Sequence, residues 1–187
     1  MDYEEFIRLP IEDKVFILDL TKNRDIIEFG LSSDIEEIRY ATSRNPNLTE
    51  DDLEKLSGDV SETIRKNVAR HPNSTSGILR KLSKDKSKEV RLAVTMNFET
   101  SKEILDEMLE MEGKAFNETL KLREEEYKNV EKVYDIIVRL NEENQYEGVI
   151  IIDIYYEIEK IGLRQFRLKD YLRVLTKAER IVEFRPD

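Results

Sequence analysis

A phrase that recurs at an interval of 26 residues constrains the fold of this chain more than any other feature. Three copies of the phrase span residues 38–59, 64–85 and 90–111. Each copy begins with a branched aliphatic residue followed by arginine: Ile38-Arg39, Ile64-Arg65 and Val90-Arg91. A period of this length predicts structural units that cannot bury their apolar faces alone and therefore stack into a continuous core.

Within each copy, the positions of helix-capping and helix-breaking residues predict two short helices joined by a tight turn. Ser61 and Ser87 lie three residues before the aliphatic-arginine pair, where they can cap a first helix. Pro46 and Pro72 cannot continue that helix, because proline has no N–H to donate. Caps for a second helix are predicted at Thr49, Thr75 and Ser101, and its apolar pairs are Leu53/Leu56, Leu79/Leu82 and Leu105/Met108. Residues 1–112 are therefore predicted to form a short two-helix-repeat solenoid, with residues 1–34 as its N-terminal cap.

The recurring wording resembles a known family of helical repeats. The segment "IRKNVARHPNSTSGIL" and the later "VRLAVTMN" and "TSKEIL" resemble the leucine-rich repeat variant, a HEAT-like two-helix solenoid, over about residues 35–110. Some members of that family carry a cysteine-ligated iron–sulfur cluster. This chain has no cysteine, so the resemblance does not extend to that cofactor.

After Met111 the pattern stops and a different organisation begins. Residues 113–127 are predicted to be a helical connector, continuous with a long helix that carries Val130, Val133, Ile137 and Leu140 at helical spacing. A short strand at 149–151, a helix at 153–160, a helix at 167–177 and a closing strand at 180–184 follow. This order is typical of a winged helix-turn-helix, so residues 128–187 are predicted to be a small α+β domain in a mainly α chain.

The C-terminal segment is similar to the winged helix of archaeal minichromosome maintenance helicases. The resemblance lies in Gly148-Val149, in Gly162-Leu163 and in Arg185-Pro186, which frame the predicted elements. It implies a winged-helix fold, and winged helices bind either DNA or protein partners. The chain contains no phosphate-binding loop of the kind an ATPase needs.

Charge is segregated along the chain in a way that its net value of -10 conceals. Residues 1–59 hold 7 basic and 16 acidic side chains, residues 60–102 hold 10 and 4, and residues 164–180 hold 6 and 2. Since fields act over about a Debye length, the two basic segments are candidate nucleic-acid contacts. The candidates in the predicted recognition helix and beside it are Arg164, Arg167, Lys169, Arg173, Lys177 and Arg180. A secondary basic patch comprises Lys81, Lys84, Lys86 and Lys88.

The repeated arginines Arg39, Arg65 and Arg91 allow two interpretations. Stacking would align their guanidinium groups as a row of phosphate contacts. Alternatively they are structural, because Asp59 and Asp85 lie six residues before Arg65 and Arg91 and could pair with them. The structural interpretation is favoured.

For two other features we prefer a structural role to a catalytic or metal-binding one. His71 occupies the position of Asn45 and Asn97, so a turn role explains all three better than catalysis does. The acidic run Glu50-Asp51-Asp52 is interpreted as a helix-dipole and solvent feature.

Composition excludes several classes of function. With no cysteine and a single histidine, the chain offers no disulfide, thiolate metal site or catalytic constellation, so we expect a non-enzymatic protein without metal or cofactor. No apolar run is long enough to span a membrane and the N-terminus is acidic, which together predict a cytoplasmic protein. The scarcity of glutamine and the abundance of Glu and Lys are typical of a thermophilic source.

The leading functional hypothesis is a DNA-binding or DNA-associated regulatory protein in which the winged helix contacts DNA and the solenoid is a scaffold. The alternative is a protein-protein interaction adaptor that uses both domains. The acidic net charge favours the adaptor and the basic segments favour DNA. The pattern leaves the oligomeric state open.

Overall fold

The structure is a computed structural model that describes residues 1–143 and, farther along, residues 154, 157, 158, 160, 161, 163, 171, 172 and 175. This part of the chain is mainly helical and contains no strand, which confirms the predicted mainly α class. The predicted strands at 149–151 and 180–184 lie outside the described residues. The helices of residues 1–143 are α1 (Tyr3–Ile7), α2 (Ile11–Leu18), α3 (Arg24–Leu31), α4 (Glu36–Ser43), α5 (Glu50–Leu56), α6 (Glu62–Arg70), α7 (Ser76–Leu82), α8 (Lys88–Thr95), α9 (Lys102–Glu112) and α10 (Lys114–Glu143).

The chain divides into two compact units, Met1–Thr119 and Leu120–Asp187. The division falls within α10, which begins directly after Gly113 and spans the segment predicted as a connector. Gly113 ends α9 with φ of 64°, a backbone conformation that residues with a Cβ rarely adopt. Glycine at this position therefore allows α10 to start immediately after α9.

In the first unit, α4 to α9 form three helix pairs whose positions follow the 26-residue register. The first helices α4, α6 and α8 pack successively on one another. The branched aliphatic residues of the repeated phrase, Ile38, Ile64 and Val90, lie on these helices and are all fully buried. The second helices bury Leu56, Leu82 and Met108 at equivalent positions. These apolar residues hold the pairs together as one core.

The predicted caps lie at the helix N-termini, but not all of them act through the side chain. Thr49 accepts a hydrogen bond from the backbone N–H of Asp52, and Ser87 and Ser101 make equivalent bonds in α8 and α9. Thr75 makes no such bond, and the hydroxyl of Ser61 donates instead to Glu36. One predicted core position also shifts in the third pair, where Ile104 is fully buried and Leu105 only half-buried.

Residues 1–34, predicted as a cap, contain a further helix pair. α2 and α3 both pack on α4, and α1 contacts α3. Phe6 is fully buried and meets the ring of Phe29 edge-on, with 5.3 Å between ring centroids. The first unit therefore contains four helix pairs preceded by the short helix α1.

In the second unit, one side of α10 is buried along Val130, Val133, Ile136 and Leu140. The helical spacing of the sequence predicts Ile137 in this row, but Ile137 is only half-buried. Residues Ile154 and Ile158 are helical and buried as well. A second helical group, Tyr171, Leu172 and Leu175, is also buried, in agreement with the apolar face predicted for residues 167–177. The hydroxyl of Tyr171 donates to Glu126 of α10 over 2.6 Å.

Candidate functional site

The three repeated arginines lie at the junctions between helix pairs and bond to carboxylates there. Arg39 binds Asp59 and Arg65 binds Asp85, each through two nitrogen atoms with a shortest N–O distance of 2.7 Å. Arg91 pairs through Nε with Glu112, the last residue of α9. The side chain of Arg65 is only 6% exposed. These guanidinium groups are therefore structural, and the phosphate-row interpretation is wrong.

The structural interpretation is right that the repeated arginines pair with carboxylates, but it assigned the wrong partner to Arg65 and to Arg91. Each aspartate pairs with the arginine that lies 20 residues before it in the chain, not with the one six residues after it. The later arginine reaches only the backbone, so that Arg65 donates to the carbonyl oxygen of Asp59 and Arg91 to that of Asp85. Arg39 and Arg65 thus each join the turn before their own helix to the turn after the next helix.

The ionisation of these aspartates follows from the same contacts. Burial raises the pKa of Asp59 and Asp85, but hydrogen bonds from Arg39 and Arg65 and from the following backbone N–H groups outweigh it and hold both pKa values below the ordinary range. Hydrogen bonding to the aspartates likewise raises the pKa of Arg39 and of Arg65. The Arg39–Asp59 and Arg65–Asp85 ion pairs are consequently fully charged near neutral pH.

A second set of equivalent residues, Asn45, His71 and Asn97, joins successive turns. The amide nitrogen of Asn97 donates to the carbonyl oxygens of Ala69 and His71, and its amide oxygen accepts from the backbone N–H of Glu99. In His71, Nδ1 accepts from the backbone N–H of Asn73 at 3.1 Å, and Nε2 lies 3.0 Å from the carbonyl oxygen of Asn45. Because Nδ1 is the acceptor, the neutral ring carries its proton on Nε2. The turn role predicted for His71 is confirmed.

The secondary basic patch is exposed, but half of it is engaged with neighbouring pairs. Lys81 bonds to Glu54 and to the hydroxyl of Ser57, and Lys84 lies 3.9 Å from Glu107. Lys86 and Lys88 form no ion pair among the described residues. Carboxylates from outside residues 60–102 therefore neutralise part of the positive charge that the sequence segregates there.

The main predicted nucleic-acid contacts, Arg164, Arg167, Lys169, Arg173, Lys177 and Arg180, lie outside the described residues. In the part of the chain that the structure describes, no helix has the length and apolarity needed to cross a bilayer. The same residues contain no group of three or more His, Asp or Glu side chains placed to hold a metal ion. Two described pockets are candidates for function, and both lie in the first unit.

One of these surfaces is a pocket at the first helix pair. It has a volume of about 340 Å³ and is lined by Phe16, Asp19, Leu20, Arg44 and Pro46. Phe16 is 74% exposed and Leu20 66% exposed. One oxygen of Asp19 is buried without a hydrogen-bond partner, and the other lies 3.4 Å from Arg44. We call these five residues the Phe16 pocket.

The second surface is an open groove of about 700 Å³ formed by α1, α3 and the turn that leads into α4. We call it the N-terminal groove. Asp25, Glu28 and Phe29 of α3 and its C-cap Ser32 share one face, because Glu28 and Phe29 each lie three or four residues from both Asp25 and Ser32. The rest of its lining is Tyr3, Ser33, Asp34 and Ile35. Carboxylates and apolar side chains therefore lie side by side in this groove.

Sequence reasoning missed Ile35, although the repeat contains a signal for it. Ile35 occupies the N-cap of α4, where Ser61 and Ser87 stand in the next two pairs. Isoleucine is among the poorest N-cap residues, it makes no side-chain cap bond here, and it is 43% exposed. An exposed apolar residue at a position that favours serine is not explained by the stability of the helix. Aligning position 35 with Ser61 and Ser87 in the 26-residue register identifies Ile35 as an exception.

Comparison of this chain with protein-family models, with curated proteins and with solved structures gives no match.

Proposed function

We propose that this protein is a non-enzymatic interaction scaffold, in which the first unit binds a protein partner. The observation that carries the proposal is the pair of exposed apolar side chains at the Phe16 pocket. Phe16 and Leu20 leave most of their surface in water, beside a cavity of about 340 Å³ that could receive an apolar side chain from a partner. Clustered exposed apolar groups with polar neighbours are typical of protein interfaces, in which aromatic residues contribute much of the binding energy.

The disposition of charge supports the same choice. The arginines of the repeat are engaged in buried ion pairs, and Arg80, Lys81 and Lys84 pair with carboxylates of neighbouring helices. A surface whose cations are already paired gains less from releasing the counterions of DNA. The first unit is thus better suited to a protein partner than to a phosphate backbone.

The test compares proteins captured from an extract of the source cells by three versions of the chain. The wild type is compared with Phe16→Ser/Leu20→Ser and with a matched control, Val60→Ser/Met111→Ser, whose residues also leave more than half of their surface exposed but lie outside the pocket. We expect the pocket variant to lose a partner that the wild type and the control both retain. Equal thermal unfolding of all three versions establishes that the fold is intact. Capture of the same proteins by all three would contradict the proposal.

DNA binding by the C-terminal segment is a second candidate function. It is favoured by the excess of basic residues in 164–180 and by the burial of Tyr171, Leu172 and Leu175, the apolar face predicted for a recognition helix. Its test is a salt titration of duplex binding by the wild type, by Arg167→Ala/Arg173→Ala and by a version with Lys86 and Lys88 changed to alanine. If the helix contacts phosphates, the first variant lowers the slope of log affinity against log salt by about 0.9 per phosphate lost. The second variant leaves the slope unchanged.

A further inference from the structure

The N-terminal groove combines negative charge with apolar surface in a way that defines what it can bind. Three carboxylates line it, from Asp25, Glu28 and Asp34. Glu28 is paired with Lys55 at 3.0 Å, whereas Asp25 and Asp34 form no ion pair with any described residue. The sequence around the groove is negatively charged as well, because residues 1–59 hold 16 acidic and 7 basic side chains. A complementary occupant is positively charged.

The apolar part of the groove is held in place by the core beneath it. The ring of Phe29 meets the rings of Phe6 and Tyr3 edge-on, with 5.3 and 6.5 Å between centroids. Lys14 lies 5.7 Å from the centre of the Phe29 ring and donates to the carbonyl oxygen of Ile7, so it is fixed within the unit. The aromatic side chains are therefore orientated before any ligand binds, which reduces the entropy lost on binding.

Ile35 supplies the third element. It lies at the end of the groove formed by the turn into α4, and it is exposed where serine would stabilise the helix better. A residue that departs from the local stability rule at a surface groove is typical of a binding site. Carboxylates, an aromatic surface and an exposed aliphatic side chain thus line a groove that is open to solvent.

We propose that the N-terminal groove binds an extended basic segment of a protein partner, with lysine or arginine side chains beside Asp25 and Asp34 and an apolar side chain against Tyr3, Phe29 and Ile35. This inference rests on the proposed function in one respect, that the partner is a protein. The inference adds the chemistry of the partner, and it places the binding on a surface different from the Phe16 pocket.

The test uses three fluorescein-labelled peptides of equal length and the full chain, with binding measured by fluorescence anisotropy at low and at physiological salt. One peptide contains lysine, leucine and glycine. In the second peptide glutamate replaces lysine, and in the third serine replaces leucine. We expect the lysine-leucine peptide to bind, the glutamate peptide not to bind, and the serine peptide to bind more weakly. Amide hydrogen exchange within residues 25–35 should slow most with the first peptide, less with the serine peptide, and not at all with the glutamate peptide.

Variants of the full chain locate the binding. Asp25→Asn/Asp34→Asn should weaken the lysine-leucine peptide about tenfold, since two exposed ion pairs are lost. Asp13→Asn/Asp51→Asn is the matched control, because it removes the same charge from exposed positions outside the groove, and it should change the affinity less than about twofold. Ile35→Ser should weaken binding about threefold while the thermal midpoint stays equal or rises, because serine restores a cap.

Several results would overturn the inference. They are equal loss of affinity in the control variant, equal binding of the glutamate peptide, unchanged binding by Ile35→Ser, and no binding by the wild type at low salt. None of them bears on the Phe16 pocket, whose own capture experiment tests the proposed function. If the capture experiment fails while the peptide results hold, the scaffold binds through the groove and the assignment of the Phe16 pocket is wrong.

Discussion

At position 71 a histidine stands where the neighbouring pairs have asparagine, and its hydrogen bonds explain why the exchange is possible. Nδ1 accepts from the turn as an amide oxygen does, and Nε2 reaches the carbonyl oxygen of Asn45 as an amide nitrogen does. We predict that His71→Asn keeps the free energy of unfolding within about 1 kcal/mol, whereas His71→Ala lowers it by about 1–3 kcal/mol because a buried carbonyl loses its donor. Urea unfolding measures both. Equal losses in the two variants would show that the ring contributes by packing alone.

Asp52 is the residue at which the sequence interpretation fails most clearly. The helix-dipole part of the interpretation agrees with the place of Asp52 in the first turn of α5, but the solvent part is wrong. The side chain is 2% exposed and accepts two hydrogen bonds from Arg24, at 2.7 and 2.8 Å, and one from the backbone N–H of Thr49. Burial alone raises the pKa of Asp52, but these bonds outweigh it and lower the pKa to about 2. The acidic run gave no indication of this, because the partner lies 28 residues earlier, in another helix pair.

The depressed pKa of Asp52 predicts how stability depends on pH. The folded-state pKa of about 2 lies below the unfolded value, so the stabilisation is complete above about pH 4 and is lost as pH falls towards 2. We predict that Asp52→Asn is less stable than the wild type by roughly 2 kcal/mol at pH 7 and that the gap narrows between pH 4 and pH 2. Urea unfolding at a series of pH values measures the gap. A gap independent of pH would mean that the carboxylate charge is not its source.

At the scale of elements, α3 depends on a glycine that its equivalents lack. Gly30 occupies the position that is leucine or methionine in the later pairs, and a Cβ there would lie 2.1 Å from Oγ1 of Thr42 and 2.7 Å from a methyl carbon of Leu18. Gly30→Ala should therefore destabilise the protein by about 1–3 kcal/mol, although alanine favours helix.

Gly77 in α7 is the matched control for Gly30. The nearest atom to a Cβ at Gly77 is Oγ1 of Thr75 at 3.8 Å, an ordinary contact. Gly77→Ala should consequently stabilise the protein by about 0.5–1 kcal/mol through helix propensity. Thermal or urea unfolding of the two variants should give shifts of opposite sign. A stabilising Gly30→Ala would show that α3 can move away from α4.

The same positions explain which elements could be predicted from sequence. Helices α4 to α9 follow from the register, because aliphatic-arginine pairs, prolines and cap residues recur in the sequence. The pair formed by α2 and α3 was missed because it departs from the pattern at two marked positions, with Asp13 in place of the arginine and Gly30 in place of the leucine. The Phe16 pocket and the N-terminal groove lie on these divergent elements, so periodicity could not identify them. Ile35 alone was detectable, as an exception at a cap.

At the scale of the whole molecule, each compact unit has its own buried residues, which makes the first unit a candidate for independent folding. Residues 1–119 contain the four helix pairs and bury Phe116 of α10. In a stacked array, stability is approximately a sum of units and of the interfaces between neighbours, so removing a segment outside the array should have little effect on it.

We predict that residues 1–119 alone unfold cooperatively, with a midpoint within a few degrees of the matching transition in the full chain. The control is a fragment ending at Ser87, which lacks α8 and so exposes the face of α6 that α8 covers. Its midpoint should fall by roughly 10 °C or more. Circular dichroism during thermal unfolding measures all three, and a fragment 1–119 that melts without a cooperative transition would show that the helix pairs need the rest of the chain.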